Sequence, residues 1–179
     1  MDSQNSVLWN VFVGENGDYL KIFNEQFGPY PPEKGLKGLI AIGWPAVGDM
    51  RIYKNKYSDY AENFETVYPS NRRIANMLWN FAYVMQKGDW VISHSSYSGY
   101  VLLGEIIGDY KSDFHDETGL YGKRREDYIH FRKIRWEGYI KTDSKSYQKL
   151  PKPGQLTVSK STASIDELKS IFFENSDQE

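Results

Sequence analysis

Cysteine is absent from the 179 residues, which excludes a disulfide framework and any thiolate metal site. Long apolar runs are missing as well, and no stretch approaches the ~20 residues of a membrane span. The opening Met1-Asp-Ser-Gln-Asn5 has neither a basic start nor an apolar run. No secretory signal is expected there, and the chain reads as soluble and cytoplasmic. Positive charge is not in excess either: the formal net charge is −2, so any nucleic-acid site must come from a local patch. Histidine is scarce, and His94, His115 and His130 are not spaced as zinc ligands. The chain has no P-loop, no Gly-x-Gly-x-x-Gly and no Gly-x-Ser-x-Gly elbow. Neither a metal nor a cofactor is expected.

Rings are what the chain has in abundance. Aromatic residues make up 16% of it, with 14 Tyr and 5 Trp. Rings with a polar handle fill cores and also suit stacking sites. Residues 88–110 hold two apolar runs, Trp90-Val-Ile92 and Tyr100 to Ile107, joined by the polar turn Ser95 to Gly99. They read as two buried strands in a hairpin. Gly104 interrupts the second strand, where glycine marks a bulge or a close backbone approach. This hairpin and the short strand Leu39 to Ile42, which delivers Trp44 into Pro45, are expected to wall a pocket for a flat aromatic ligand.

Earlier, Val7 to Val13 reads as a strand, Glu15 to Asp18 as a turn, and Tyr19 to Phe27 as a helix stopped at Gly28-Pro29. A short helix is expected around Ser58 to Phe64. Ile74, Met77, Leu78, Phe81 and Met85 then form one apolar helical stripe, with Ser70 as its cap and Gly88 as its stop. Arg72 and Arg73 in its first turn oppose the helix dipole, and read either as a solvated face or as phosphate contacts. Residues 111–127 form a long polar loop. Between 123 and 135 lie six Lys or Arg against two acids. The strand Tyr128 to Trp136 switches apolar parity midway, as at a bulge or under burial on both faces. Ser164-Ile-Asp-Glu167 is a capping box for a last helix through Phe173. The order of elements is mixed α+β, with a largely antiparallel or barrel-like sheet.

One enzymatic pattern is present. Asp89, followed by Asp109-Tyr-Lys111, matches the spaced acid and acid-x-Lys arrangement of metal-dependent nucleases. It is short, and Lys87-Gly-Asp89 reads equally as a turn into a strand.

Taken together, Val11-Phe-Val-Gly-Glu-Asn-Gly-Asp18, Leu39-Ile-Ala-Ile-Gly-Trp-Pro-Ala-Val-Gly-Asp49, Gly88-Asp-Trp-Val-Ile92, Leu103-Gly-Glu-Ile-Ile-Gly-Asp-Tyr110 and His130-Phe-Arg-Lys-Ile-Arg-Trp136 resemble the EVE-type and YTH-like modules of the PUA-like superfamily. The likeness is closest to those at the N-termini of McrB-like and Mrr-like modification-dependent restriction proteins. The resemblance implies a small twisted β-barrel flanked by helices, as one domain over residues 1–174, with 175–179 a polar tail or linker start. It implies a non-catalytic module that flips a modified, often methylated, DNA base into an aromatic cage, or alternatively reads a methylated base in RNA. It implies cooperation with an effector nuclease or GTPase, as a domain or subunit. Trp44 falls where the family places a cage ring, and Asn16 and Asp18 where polar groups read the base edge. Ser93 and His94 fall at the pocket floor. Tyr110, Phe114 or Tyr121 supplies the second ring, and Trp90 is a further ring that is either cage or core. Arg72, Arg73, Lys123, Arg124, Arg125, Arg132 and Arg135 are the candidates for gripping phosphates.

Overall fold

The computed structural model describes residues 6–14, 17, 19–95, 97–112, 128–153 and 156–173. Its strands are β1 (Leu8–Val11), β2 (Lys37–Ile42), β3 (Trp90–Ser95), β4 (Tyr100–Ile106), β5 (Lys111–Ser112), β6 (His130–Lys141) and β7 (Val158–Lys160), and its helices are α1 (Tyr19–Asn24), α2 (Tyr57–Val67), α3 (Arg72–Trp79) and α4 (Ile165–Phe173). The strands form one mixed sheet in the order β2-β6-β4-β3-β1-β7, with β5 also on β6. β1 and β3 run parallel, and every other pair is antiparallel. The class is α+β, and the sheet curls into a half-barrel flanked by helices.

The unbroken apolar runs of the hairpin have a simple cause: both faces of the sheet are covered. Val91, Leu102 and Ile106 join the larger core with Trp9, Ile134, Trp136, Phe23, Phe64, Leu78 and Phe81. Ile92, Val101 and Leu103 turn the other way, to Leu168 and Phe172 of α4. The expected irregularity at Gly104 is present as a register shift between Leu103 and Gly104. A Cβ there would lie 2.5 Å from Ile134 Cγ2 and 2.8 Å from Trp136 Cε3, so only glycine lets the indole pack flat on the strand.

Several boundaries differ from expectation. β6 continues to Lys141, because Gly138 and Ile140 go on pairing with β4 beyond the bulge. β7 was not foreseen. The helix around 58–64 spans Tyr57–Val67. Asn71, not Ser70, stands at the N-cap of α3, while Ser70 has φ 63°. α3 widens into a π turn over Asn80–Val84 and Met85 is already extended. Arg132 explains that stop: it donates to the carbonyls of Phe81, Ala82 and Met85, which a continuing helix would need for itself. No helix among the described residues is long and apolar enough to cross a membrane.

β2 would be an open sheet edge, a liability in any fold. Asn24 covers it. Its side chain accepts from Leu39 N and donates to Leu39 O, both at 2.9 Å, copying the pairing of a neighbouring strand. The same Oδ1 accepts from Trp136 Nε1 at 2.9 Å. Asn24→Ala would orphan these buried groups together. We expect a loss of about 3–5 kcal/mol, since each unsatisfied buried group costs roughly 1–3 kcal/mol. Urea denaturation checks it, and a change below 1 kcal/mol would show that the edge is held by packing alone.

Candidate functional site

The site forms where β2 ends beside the start of β6. Ile42 pairs with His130, and two residues on Trp44 adopts a left-handed backbone, φ 66° and ψ 55°. For a residue with a Cβ this conformation costs roughly 1–2 kcal/mol, so something must enforce it. Pro45 opens a 3₁₀ turn over Pro45–Val47 immediately after it. From the other side, His130 Nε2 lies 3.3 Å from the Trp44 carbonyl. A carbonyl only accepts, so Nε2 carries the proton and Nδ1 accepts from the Tyr110 hydroxyl at 2.6 Å. That hydroxyl oxygen in turn accepts from Met50 N at 3.2 Å. One line of hydrogen bonds thus runs from Met50 through Tyr110 and His130 to Trp44.

The next turn, Met50–Tyr53, is fixed as firmly. Asp49 caps it by accepting from Arg51 N and takes the Arg51 guanidinium at 2.6 Å. Tyr83 donates to the Met50 carbonyl. Partial burial pulls the Asp49 carboxyl upward, but the Arg51 hydrogen bonds outweigh it and hold the group below its ordinary value. The Tyr68 hydroxyl accepts from Ala46 N at 3.2 Å, which ties the C-terminal end of α2 to the Trp44 turn. Trp44 itself is half-buried against the larger core. Among the described residues its indole stacks on no ring and donates to no acceptor, while its carbonyl accepts from His130 Nε2 and from Val47 N, both at 3.3 Å.

The structure brings only part of the expected constellation together. Trp44 and Tyr110 share the site, while Arg72 and Arg73 are exposed in the first turn of α3. In the sheet β6 stands between the hairpin and β2, so the strand beside β2 at this site is β6. Ser93 is fully buried, and its hydroxyl donates to the Val11 carbonyl at 2.7 Å. It ties β3 to β1 and presents nothing to a ligand. His94 pairs with Val101, whose partner on β6 is Ile140, at the opposite end of that strand from His130. Its ring stacks on Phe12 at 5.7 Å, and among the described residues neither ring nitrogen has a partner. Trp90 faces α4 with the Lys169 ammonium 4.0 Å over its ring, so it is packing and not cage.

Two of the expected phosphate contacts fail as open cations. Arg132 is 3% exposed, and its guanidinium is held by four carbonyls, including Gly108. Arg135 is exposed but carries Glu105 and Glu137 as ion-pair partners. Asn16, Asp18, Phe114, Tyr121, Lys123, Arg124 and Arg125 lie outside the described residues. The nuclease pattern also separates. Asp89 is buried and accepts from Val7 N, Trp9 Nε1 and Gln86 N, while Asp109 is out in solvent on Lys87. Among the described residues no three His, Asp or Glu come together as a metal site needs.

His130 is the residue sequence reasoning missed, having been weighed only as a metal ligand. Its place two residues after Tyr128, opening a strand with Arg132, was the available signal. Burial lowers its pKa to about 4, against smaller upward pulls from the Trp44 carbonyl and Asp49, and burial does the same to His94. An unfolded histidine takes its proton near 6.5. Between there and pH 4 the unfolded chain binds more protons than the folded one. Stability must therefore fall as pH drops below about 6.5 and keep falling to about 4, by up to roughly 3 kcal/mol per histidine. Urea melts at pH 7 and 4.5 test this. His94→Phe, which removes two buried nitrogens without partners among the described residues, should flatten part of the decline, and an unchanged slope would assign it to His130 and the carboxylates.

No curated protein and no solved structure matches the chain. Residues 33–162 match the model of a domain of unknown function, DUF8426. That span is well over half of the chain and carries Trp44, Tyr110 and His130, so the chain belongs to the DUF8426 family.

Proposed function

We propose that the chain is a binding module, without catalysis of its own, that receives a base turned out of a nucleic-acid strand on the ring of Trp44, with modified DNA bases as its targets. The observation that carries this reading is how that ring is presented. It is half-buried, set on a left-handed backbone clamped from both sides, and stacked on no described ring. Strained backbone of this kind clusters at ligand clamps, and a base stacked on an aromatic contributes roughly 1–3 kcal/mol. A methyl group covered at such a site adds about 0.8 kcal/mol, which suits a reader of methylated bases. Arg72 and Arg73, exposed in the first turn of α3, are the proposed contacts for the strand leading to that base. The resemblance to EVE-type and YTH-like modules supports the same reading, in which an effector nuclease or GTPase acts on what the module finds.

The test is a panel of short DNA duplexes and single strands, with RNA counterparts, differing in one modified base. Trp44→Ala should lose roughly 5–150-fold in affinity for the preferred base, the equivalent of that stacking energy. Trp44→Gly should bind as poorly yet be the more stable of the two, because glycine adopts the left-handed backbone without strain. A collapse of the melting temperature with base preference intact in the folded fraction would make Trp44 core and sink the reading. A preference for RNA across the panel would change the target and leave the site.

Arg72→Ala with Arg73→Ala should weaken binding to all sequences alike. The slope of log affinity against log salt should shrink by about 1–2, as two phosphate contacts are lost. An unaltered slope would put the strand elsewhere.

A further inference from the structure

Behind Tyr110 lies a cavity of about 540 Å³ lined by Arg51, Lys87, Asp109, Tyr110 and Arg132 among others. We propose that it is a phosphate-binding subsite that takes a backbone phosphate beside the base on Trp44, a placement that rests on the base-binding reading above. Arg132 carries the argument. A guanidinium has five N–H donors, and four hydrogen bonds to the carbonyls of Phe81, Ala82, Met85 and Gly108 are formed. One N–H on Nη1 is left over, on a side chain only 3% exposed that lines the cavity.

No carboxylate among the described residues forms an ion pair with Arg132. Carbonyl dipoles solvate its charge, and Asp109 and Asp89 favour it from a distance, but no carboxylate touches it and its desolvation is met only in part. Burial brings its pKa down to about 10, so it is still a cation at neutral pH. At the mouth, Lys87 and Arg51 have side chains 57% and 43% exposed, resting on Asp109 and Asp49. Exposed pairs of that kind are weak, whereas a phosphate offers charge-assisted bonds to several donors at once. Of the lining side chains three are cations and one, Asp109, is a carboxylate, with Asp49 paired to Arg51. Tyr110 is the shared wall. It lines the cavity, and its hydroxyl donates to His130, whose other nitrogen holds Trp44. An anion in the cavity and a ring on Trp44 would therefore be seated on one hydrogen-bonded line, as adjoining parts of one strand require.

A phosphodiester and free inorganic phosphate share this chemistry, and the experiment separates them. With the full chain, thermal melting is followed in inorganic phosphate and in chloride at equal ionic strength. Affinity for a short oligonucleotide is measured alongside. Phosphate should raise the melting temperature of the wild type and of Trp44→Ala, but not of Lys87→Glu or Arg51→Gln, both changes at exposed positions. Lys87→Glu should also weaken the oligonucleotide at least tenfold and cut its salt slope by about 1. No advantage of phosphate over chloride, or one that survives both variants as an adventitious ion only, overturns the subsite. Phosphate stabilisation with oligonucleotide binding unaffected by Lys87→Glu overturns the backbone source in favour of free phosphate. Oligonucleotide binding that needs Lys87 but not Trp44 upholds the subsite and defeats base stacking on Trp44.

Discussion

The structure depends on what the inward positions of β6 hold. Along one side of the strand stand His130, Arg132, Ile134 and Trp136, and three of the four end in polar tips. Each tip pins a different part of the molecule. His130 holds the Trp44 carbonyl, Arg132 gathers the carbonyls that end the π turn after α3, and Trp136 bonds Asn24 at the end of α1. A buried polar tip is expensive unless its partner is in place. The three elements therefore have one low-energy arrangement around β6, where a purely apolar strand would tolerate several. Specificity of this kind comes from satisfied polar groups, not from area buried.

The Trp44 turn follows from the same logic. A left-handed tryptophan costs about 1–2 kcal/mol, comparable to the roughly 0.5–1.5 kcal/mol net worth of one hydrogen bond. The His130 bond by itself barely balances that cost. The turn persists because Pro45 fixes the backbone after it and the Tyr68 hydroxyl takes the next amide. It also persists because Tyr110 holds His130 in the only tautomer that can donate to the carbonyl. Strain that is over-determined in this way costs nothing further when a ligand arrives, so stacking energy goes to binding and not to ordering a loop.

The parts of this arrangement that were legible in the sequence are those set by local pattern. The hairpin, the apolar stripe of α3, the glycine bulge at Gly104 and the placement of Trp44 before Pro45 all come from periodicity and turn chemistry over a few residues. What was not legible depends on partners far apart in the chain. Arg132 reads as one of a run of surface cations until the carbonyls of 81, 82 and 85 are brought to it. Ser93 and His94 read as a pocket floor because a strand end looks alike whether it meets solvent or β1. Asn24 looks like an ordinary helix residue, and nothing nearby shows that Leu39 needs an edge partner. The π turn has no local signature, since its cause lies some fifty residues downstream.

Charge adds a last constraint. A net charge of −2 gives no general attraction to nucleic acid, and several exposed cations already carry carboxylates: Arg51 on Asp49, Lys87 on Asp109, Arg135 on Glu105 and Glu137. Such a surface repels a passing strand about as much as it attracts it, so non-specific affinity stays low. On the proposed reading that is a gain, because selectivity is diluted by tight binding to every unmodified site. The exposed pairs are worth at most about 1 kcal/mol each, little enough to exchange for a phosphate once a base is seated. On the proposed reading the carboxylates set a threshold, which phosphate contacts meet only in part and which stacking on Trp44 completes.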